Sequence, residues 1–310
     1  MMVANFKYEF EVLTKMMRIV LLVLTNFAVM AVLFVTMHVL AAVFGINLSQ
    51  GSMGGMLFMA LIFGFGGSFI SLLMSKWMAK RSMGVQIIEH PSNNQERWLV
   101  ETVRRQADKV GIGMPEVGIF YSPDPNAFAT GANKNNALVA VSQGLLQNMT
   151  PDEVEAVLGH EIGHIANGDM VTQTLLQGVL NTFVFFFARI IGMFIDGLLR
   201  GNNQENSGPG LGYYLGSMVG EIFLGFLATM VVLWFSRYRE FRADEAGADL
   251  AGRQKMIAAL RRLQQAHNVQ DLPGEMAAFG IAGNLRSNFG KLFMTHPPLE
   301  ERIAALENAR

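Results

Sequence analysis

The segment Thr150-Pro151-Asp152-Glu153-Val154-Glu155-Ala156-Val157-Leu158-Gly159-His160-Glu161-Ile162-Gly163-His164-Ile165-Ala166-Asn167-Gly168 decides how this chain is read. Thr150 can cap a helix, Pro151 fits its first position, and Glu153 can close a capping box. Val154, Val157, Leu158, Ile162 and Ile165 recur at helical spacing, and Asn167-Gly168 is a stop signal. The spacing predicts a helix from Pro151 to Ala166. Residues four apart lie one above the other on a helix, so His160 and His164 can point ring nitrogens at one ion. Glu161 sits one step round, placed to exchange protons with a water at that ion. This H-E-x-x-H pattern occurs in a chain with six histidines and no cysteine, so thiolate ligands and disulfides are excluded. Gly159 and Gly163 each weaken a helix by about 1 kcal/mol relative to Ala. Their presence predicts close approach of another backbone or a ligand.

Two histidines need a third ligand. A histidine six residues after the motif is excluded, because Asn167 and Met170 stand where that pattern needs Gly and His. A distant glutamate is the other common solution. Glu240 and Asp244, four apart in the stretch Ser236 to Asp244, can face the metal helix together. Glu240 would ligate, and Asp244 would accept a hydrogen bond from a histidine ring. Taken alone, that stretch also reads as a solvated helix with Arg239 or Arg242 paired to Asp244.

The His-Glu-x-x-His pattern followed by Glu240-x-x-x-Asp244 resembles the integral-membrane zinc metallopeptidases, the family that also includes the CaaX prenyl proteases. The stretches His160 to Asp169, Ser236 to Asp244, Asn126 to Gly131 and His296 to Arg302 carry the resemblance, as does the order of hydrophobic segments, so it covers nearly the whole chain. It implies one zinc ion per chain, held by His160, His164 and Glu240. It further implies an oxyanion-stabilising role for His296 and substrate pairing along a strand at Asn126, Ala127 and Phe128. The implied role is membrane-protein quality control, with protein or peptide substrates, membrane proteins among them, and cooperation with other proteases of that system. Other readings of these residues stay open: His296 as a cap of the last helix, and Asn126 to Thr130 as a loop.

Composition frames this reading. Apolar residues make up 51% and charged residues 16%, with net charge −1, so no electrostatic footprint for nucleic acid exists. Four apolar stretches, at about 19–44, 56–74, 175–195 and 211–235, approach or exceed the roughly 20 residues that cross a bilayer as a helix. The first two read as spans. The later pair, containing Arg189 and Glu221, reads as spans or as buried core helices. Arg189 and Glu221 would pair within the bilayer, or Arg189 would snorkel to the interface.

The expected architecture is a mainly α membrane protein: four transmembrane helices carrying a cytoplasmic α+β zincin domain of gluzincin type. Its divisions are a transmembrane hairpin at 1–81, an α/β part with the metal helix at 82–170, a second hairpin at 171–236, and a helical part at 237–310 with the third ligand and His296-Pro297-Pro298. Helices are expected at 94–110, 236–251, 253–266 and 297–308, and strands at 117–121 and 137–141. A Gly-rich linking segment is expected at 268–288. Lys7, Lys15 and Arg18 before the first span, Lys76, Lys80 and Arg81 after the second, and Arg237, Arg239 and Arg242 after the fourth put both termini and the site in the cytoplasm, in a multi-pass plasma-membrane protein. The competing functions are a CaaX-type prenyl peptidase and a non-enzymatic membrane scaffold or transporter with a structural metal. Few spans speak against the first, and an intact Glu161 against the second.

Overall fold

The computed structural model describes residues 31, 34–45, 52–200, 208–269 and 296–309. Its elements are α1 (Phe34–Phe44), α2 (Met53–Met83), β1 (Gln86–Ile87), α3 (Asn94–Val110), β2 (Glu116–Phe120), β3 (Ala127–Asn133), β4 (Asn136–Ser142), α4 (Gln143–Asn148), α5 (Pro151–Ala166), α6 (Asp169–Arg200), α7 (Leu211–Ala251), α8 (Arg253–Val269) and α9 (Leu299–Asn308). Three helices among the described residues, α2, α6 and α7, are long and apolar enough to cross a membrane. The first expected span lies mostly outside the described residues, and α1 is its C-terminal part. The expected 268–288 segment also falls almost wholly outside them.

The chain divides into two compact units. One comprises residues 1–71 and 177–225, the other 72–176 and 226–310. In the first, small residues let helix backbones approach. A Cβ on Gly64 would lie 2.6 Å from the Thr182 backbone nitrogen. Arg189 forms an ion pair with Glu221 and lies over the Phe185 ring, 4.2 Å from its centroid. Each charge thereby neutralises the other, and the ring shields the guanidinium.

The second unit holds a four-stranded sheet in the order β1-β2-β4-β3. Strands β2 and β4 are parallel, while β1–β2 and β3–β4 are antiparallel. Strand β4 is buried at all positions after Asn136, as its unbroken apolar run requires when both faces are covered. One core joins Leu99, Val103 and Ala107 of α3, Val139 and Val141 of β4, Leu158, Ile162 and Ile165 of α5, Met256 and Leu260 of α8, and Ile303 and Leu306 of α9. Two small elements, β1 and α4, have no counterpart in the sequence reading. Helix α9 begins at Leu299 rather than at Pro297. The reason is steric: Pro298 bars the preceding residue from helical backbone angles.

Helix α5 packs on α7 through its glycines. A Cβ on Gly159 would come 3.2 Å from the Gly247 Cα, and one on Gly163 would come 2.6 Å from the Ala246 Cβ. The close backbone approach expected at these two positions is a helix crossing. It brings the His160 face of α5 against the Glu240 face of α7.

Candidate metal centre and active site

Helix α5 starts as its sequence dictates. Glu153 N–H donates to Thr150 Oγ1 at 3.4 Å, and Thr150 N–H donates to Glu153 Oε2 at 2.8 Å. Pro151 occupies the first turn, and Asn167 caps the far end. Gly168 at φ 67° then turns the chain into α6, which begins at Asp169.

His160 Nε2 and His164 Nε2 are 3.1 Å apart, with their rings nearly perpendicular at 87°. Glu240 closes the triangle: Oε2 lies 3.6 Å from His160 Nε2 and Oε1 lies 3.4 Å from His164 Nε2. The remaining ring nitrogens are committed elsewhere. His160 Nδ1 lies 2.9 Å from Asp244 Oδ1, and His164 Nδ1 lies 2.6 Å from Asp169 Oδ2. A carboxylate can only accept, so each Nδ1 carries the proton and each Nε2 presents a lone pair. With both rings neutral, three electron-pair donors therefore face one another, an arrangement suited to a cation.

Electrostatics sharpen the fit to a metal. Glu161, Asp169, Glu240 and Asp244 are all buried around the two histidines, and the buried cations beside them are Arg239 and Arg302. With both histidines neutral, as metal ligation requires, four carboxylates against two guanidinium groups leave two negative charges uncompensated. A divalent cation would neutralise them. Burial alone would lower the His164 pKa, but hydrogen bonds to Asp169 and Glu240 outweigh it and push the pKa up to about 9. Burial would likewise raise the Glu240 and Asp244 carboxyls. For Glu240, His164, His296 and Arg302 reverse that, and for Asp244, Arg302 and His160 do, holding both below the usual carboxylate range.

Arg302 and Asp169 are functional candidates that the sequence reading did not assign. Arg302 Nε and Nη2 donate to Asp244 Oδ2 and Oδ1 at 2.7 and 2.6 Å, and Nη1 lies 3.2 Å from Glu240 Oε2. Asp169 sat inside a quoted stretch, but its hydrogen bond needs the Gly168 turn to fold it back on His164. The alternative of Arg239 or Arg242 pairing with Asp244 on a solvated helix does not hold. Glu240 is 2% and Asp244 1% exposed, and Arg239 instead donates to the Asp169 carbonyl at 3.1 Å.

A cavity of about 650 Å³ opens onto the centre. Its lining includes Asn126, Ala127, Val157, Glu161, Leu260 and His296. His296 stands at its mouth, 62% exposed, with Nδ1 2.8 Å from Glu240 Oε2. It does not cap α9, whose N-cap is Pro298 with no side-chain bond. Asn126 and Ala127 reach this cavity. Phe128 is not among its lining residues, and its ring packs 5.5 Å from Phe120. The main chain of Asn126 is bound to Ser142: Ser142 N–H donates to Asn126 O at 2.8 Å, and Asn126 N–H donates to Ser142 Oγ at 2.9 Å. Antiparallel pairs alternate, so Phe128 also faces β4 while Ala127 and Ala129 turn their N–H and C=O groups to the open edge of β3.

Comparison with known proteins agrees with this geometry. Peptidase family M48 matches residues 93–310. Protease HtpX of Stenotrophomonas maltophilia (strain K279a) is 62% identical over 289 residues, covering 93% of this chain and 97% of that protein. Protease HtpX of Xanthomonas campestris pv. campestris (strain B100) is 61% identical over 289 residues, covering 93% and 96%. Protease HtpX of Xylella fastidiosa (strain M12) is 60% identical over 293 residues, covering 94% and 99%. Among solved structures, Ste24p of S. mikatae superposes with a TM-score of 0.62 at 19% identity, covering 90% of this chain. This chain spans 63% of that one's length, and the likeness is one of fold. The chain belongs to peptidase family M48. It is a membrane-bound metalloprotease.

Proposed function

We propose that this protein is a zinc-dependent endopeptidase working at the cytoplasmic face of the membrane, where it cuts misfolded or damaged membrane proteins. One observation carries the chemistry. The Nε2 lone pairs of His160 and His164 and the Glu240 carboxylate converge at a cavity that Glu161 also lines. Three ligands of type His, His and Glu match the donor set of catalytic rather than structural zinc. Bound there, zinc would polarise the scissile carbonyl and lower the pKa of a water toward neutrality.

The chain's own residues supply the rest. Glu161 accepts the water proton and returns it to the departing amine. Asp244 and Asp169 fix the tautomer and direction of the two histidines, while Arg302 holds the Asp244 carboxylate and Arg239 the Asp169 main-chain carbonyl. His296 donates to the oxygen that gains negative charge. Its Nδ1 is engaged near Glu240, so the donor is Nε2. The open edge of β3 at Ala127 and Ala129 pairs with an extended substrate backbone, a mode that asks little of sequence. The cytoplasmic assignment rests on the basic residues flanking the inner ends of the first, second and fourth expected spans. Unfolded casein incubated with the purified protein in detergent tests this function. Cleavage should stop with a chelator and return with stoichiometric zinc; cleavage that ignores chelation overturns it.

A further inference from the structure

Helix α7 runs unbroken from Leu211 to Ala251, through the apolar stretch and on to the candidate ligand Glu240. It carries its own depth markers. Tyr214 is 58% exposed near its start, and Trp234 and Tyr238 are 62% and 55% exposed near the other end of the apolar stretch. Trp234 and Tyr238 stack, with ring centroids 6.3 Å apart and planes inclined by 15°. Exposed Trp and Tyr at the ends of a span settle at the two membrane–water interfaces. Tyr214 and Trp234 are twenty residues apart, about 30 Å of helix, which is the thickness of the hydrocarbon core. Trp77, 49% exposed on α2 between Lys76 and Lys80, repeats the pattern of aromatic and basic residues.

Glu240 follows Trp234 by six residues, about 9 Å along the helix axis. Tilt of α7 can only shorten the vertical component. The headgroup layer is itself about 5–8 Å deep. On this spacing the Glu240 backbone would stand level with the outer part of the headgroup layer.

We propose that the Trp234–Tyr238 pair holds the active site at a fixed height, at most about 9 Å above the hydrocarbon core, so that membrane-anchored substrates are cut in the residues immediately flanking their own spans. This rests on the endopeptidase reading and adds a distance rule to it. An extended chain gains about 3.3–3.6 Å per residue, so about three residues must separate the span from the cleft. Beyond that, the local concentration of a tethered site falls as roughly the −3/2 power of tether length. The rule thus has a sharp inner limit and a gradual outer decline.

The test uses proteoliposomes containing the protein and a single-span substrate. Its disordered Gly/Ser tail carries one casein-derived peptide beginning two, eight, twenty or sixty residues past the span. Little cleavage is expected at two residues and the fastest at eight, with sixty slower by about 20-fold from the −3/2 power. Equal rates at eight and sixty, or a maximum at sixty, would overturn the proposal. Joint replacement Trp234→Ala and Tyr238→Ala should flatten the profile in vesicles while leaving hydrolysis of the free peptide in detergent unchanged. An unaltered profile in that variant would show that the aromatic pair does not set the height. The free-peptide assay also separates the two readings. A peptide cut when free, but cut evenly at every tail length, sinks the distance rule and spares the endopeptidase.

Discussion

Arg302 grips both carboxylate oxygens of Asp244, at 2.7 and 2.6 Å, although 58 residues separate them in sequence. Through Asp244 the grip reaches His160, so the last helix of the chain takes part in aiming a candidate metal ligand. Arg302 is 6% exposed, and removing one partner of a buried pair leaves the other charge uncompensated. Arg302→Ala should therefore weaken metal affinity by 10–100-fold, a typical loss for groups that support a ligand, and destabilise the fold by about 3–5 kcal/mol. Arg302→Lys keeps the charge without the planar fork and should fall between. Titration with a competing chelator measures the affinity. Unchanged affinity in Arg302→Ala would show that the arginine only anchors α9.

Glu161 faces the cavity but is not part of the three-donor cluster. Glu161→Gln should abolish casein cleavage and leave metal content near that of the unaltered protein. Direct metal analysis beside an activity assay decides it. Substantial residual turnover, or loss of the ion, would remove Glu161 from its role as base.

The α5–α7 crossing predicts an order of effects. A methyl at Gly163 would stand 2.6 Å from the Ala246 Cβ, which cannot move without its helix. A methyl at Gly159 meets its nearest neighbours at 3.2–3.3 Å. Both changes regain about 1 kcal/mol of helix propensity, against an overpacking cost of about 1–3 kcal/mol. Gly163→Ala should lower the thermal midpoint and activity together, because separating the helices pulls Glu240 and Asp244 from the histidines. Gly159→Ala should be milder. The reverse order in thermal melts would contradict the crossing.

How much of this was legible in the sequence depends on how far apart the partners lie. Helix α5 could be read to its terminal residues because cap, proline, glutamate and stop signal are all local. Glu240 and Asp244 announced themselves by their spacing on one face. Asp169 was harder. It reaches His164 only because Gly168 adopts φ 67° and reverses the chain, a conformation that spacing rules do not report. Arg302 closes the stretch His296 to Arg302, but nothing local gave its role, since its partner lies on another helix and meets it only when α9 docks. The strand at Asn126 was anticipated, but not its register. Which main-chain groups face outward is fixed by pairing with β4, and that pairing turns Ala127 and Ala129 outward instead of Asn126 and Phe128.

Orientation gives a further prediction. Reporter fusions near Lys80 and Asp169 should be cytoplasmic, and fusions near Ser52 and Asn206 external, because the basic residues flank the opposite span ends. An external signal at Lys80 would invert the topology. A cytoplasmic signal at Asn206 would mean that α6 and α7 do not both cross.

His164 links metal binding to pH. In the metal-free protein its pKa is pushed up to about 9, since hydrogen bonds to Asp169 and Glu240 outweigh burial. Below that pH the ring is protonated, and a metal must expel the proton to bind. The His164 contribution should therefore raise metal affinity about tenfold per pH unit on the way up to 9, then level off. Asp169→Asn removes the carboxylate that favours the imidazolium, so levelling should begin at lower pH. The same change loosens the ring and lowers its basicity, which should cost 10–100-fold in affinity above pH 9, where no proton competes. At pH 7 the gap should narrow or close, because the unaltered protein there forfeits about 100-fold to its own proton. Chelator competition from pH 6 to 9.5 on both proteins would trace the two curves. Parallel curves, offset by a constant factor, would mean that Asp169 orients His164 without governing its proton.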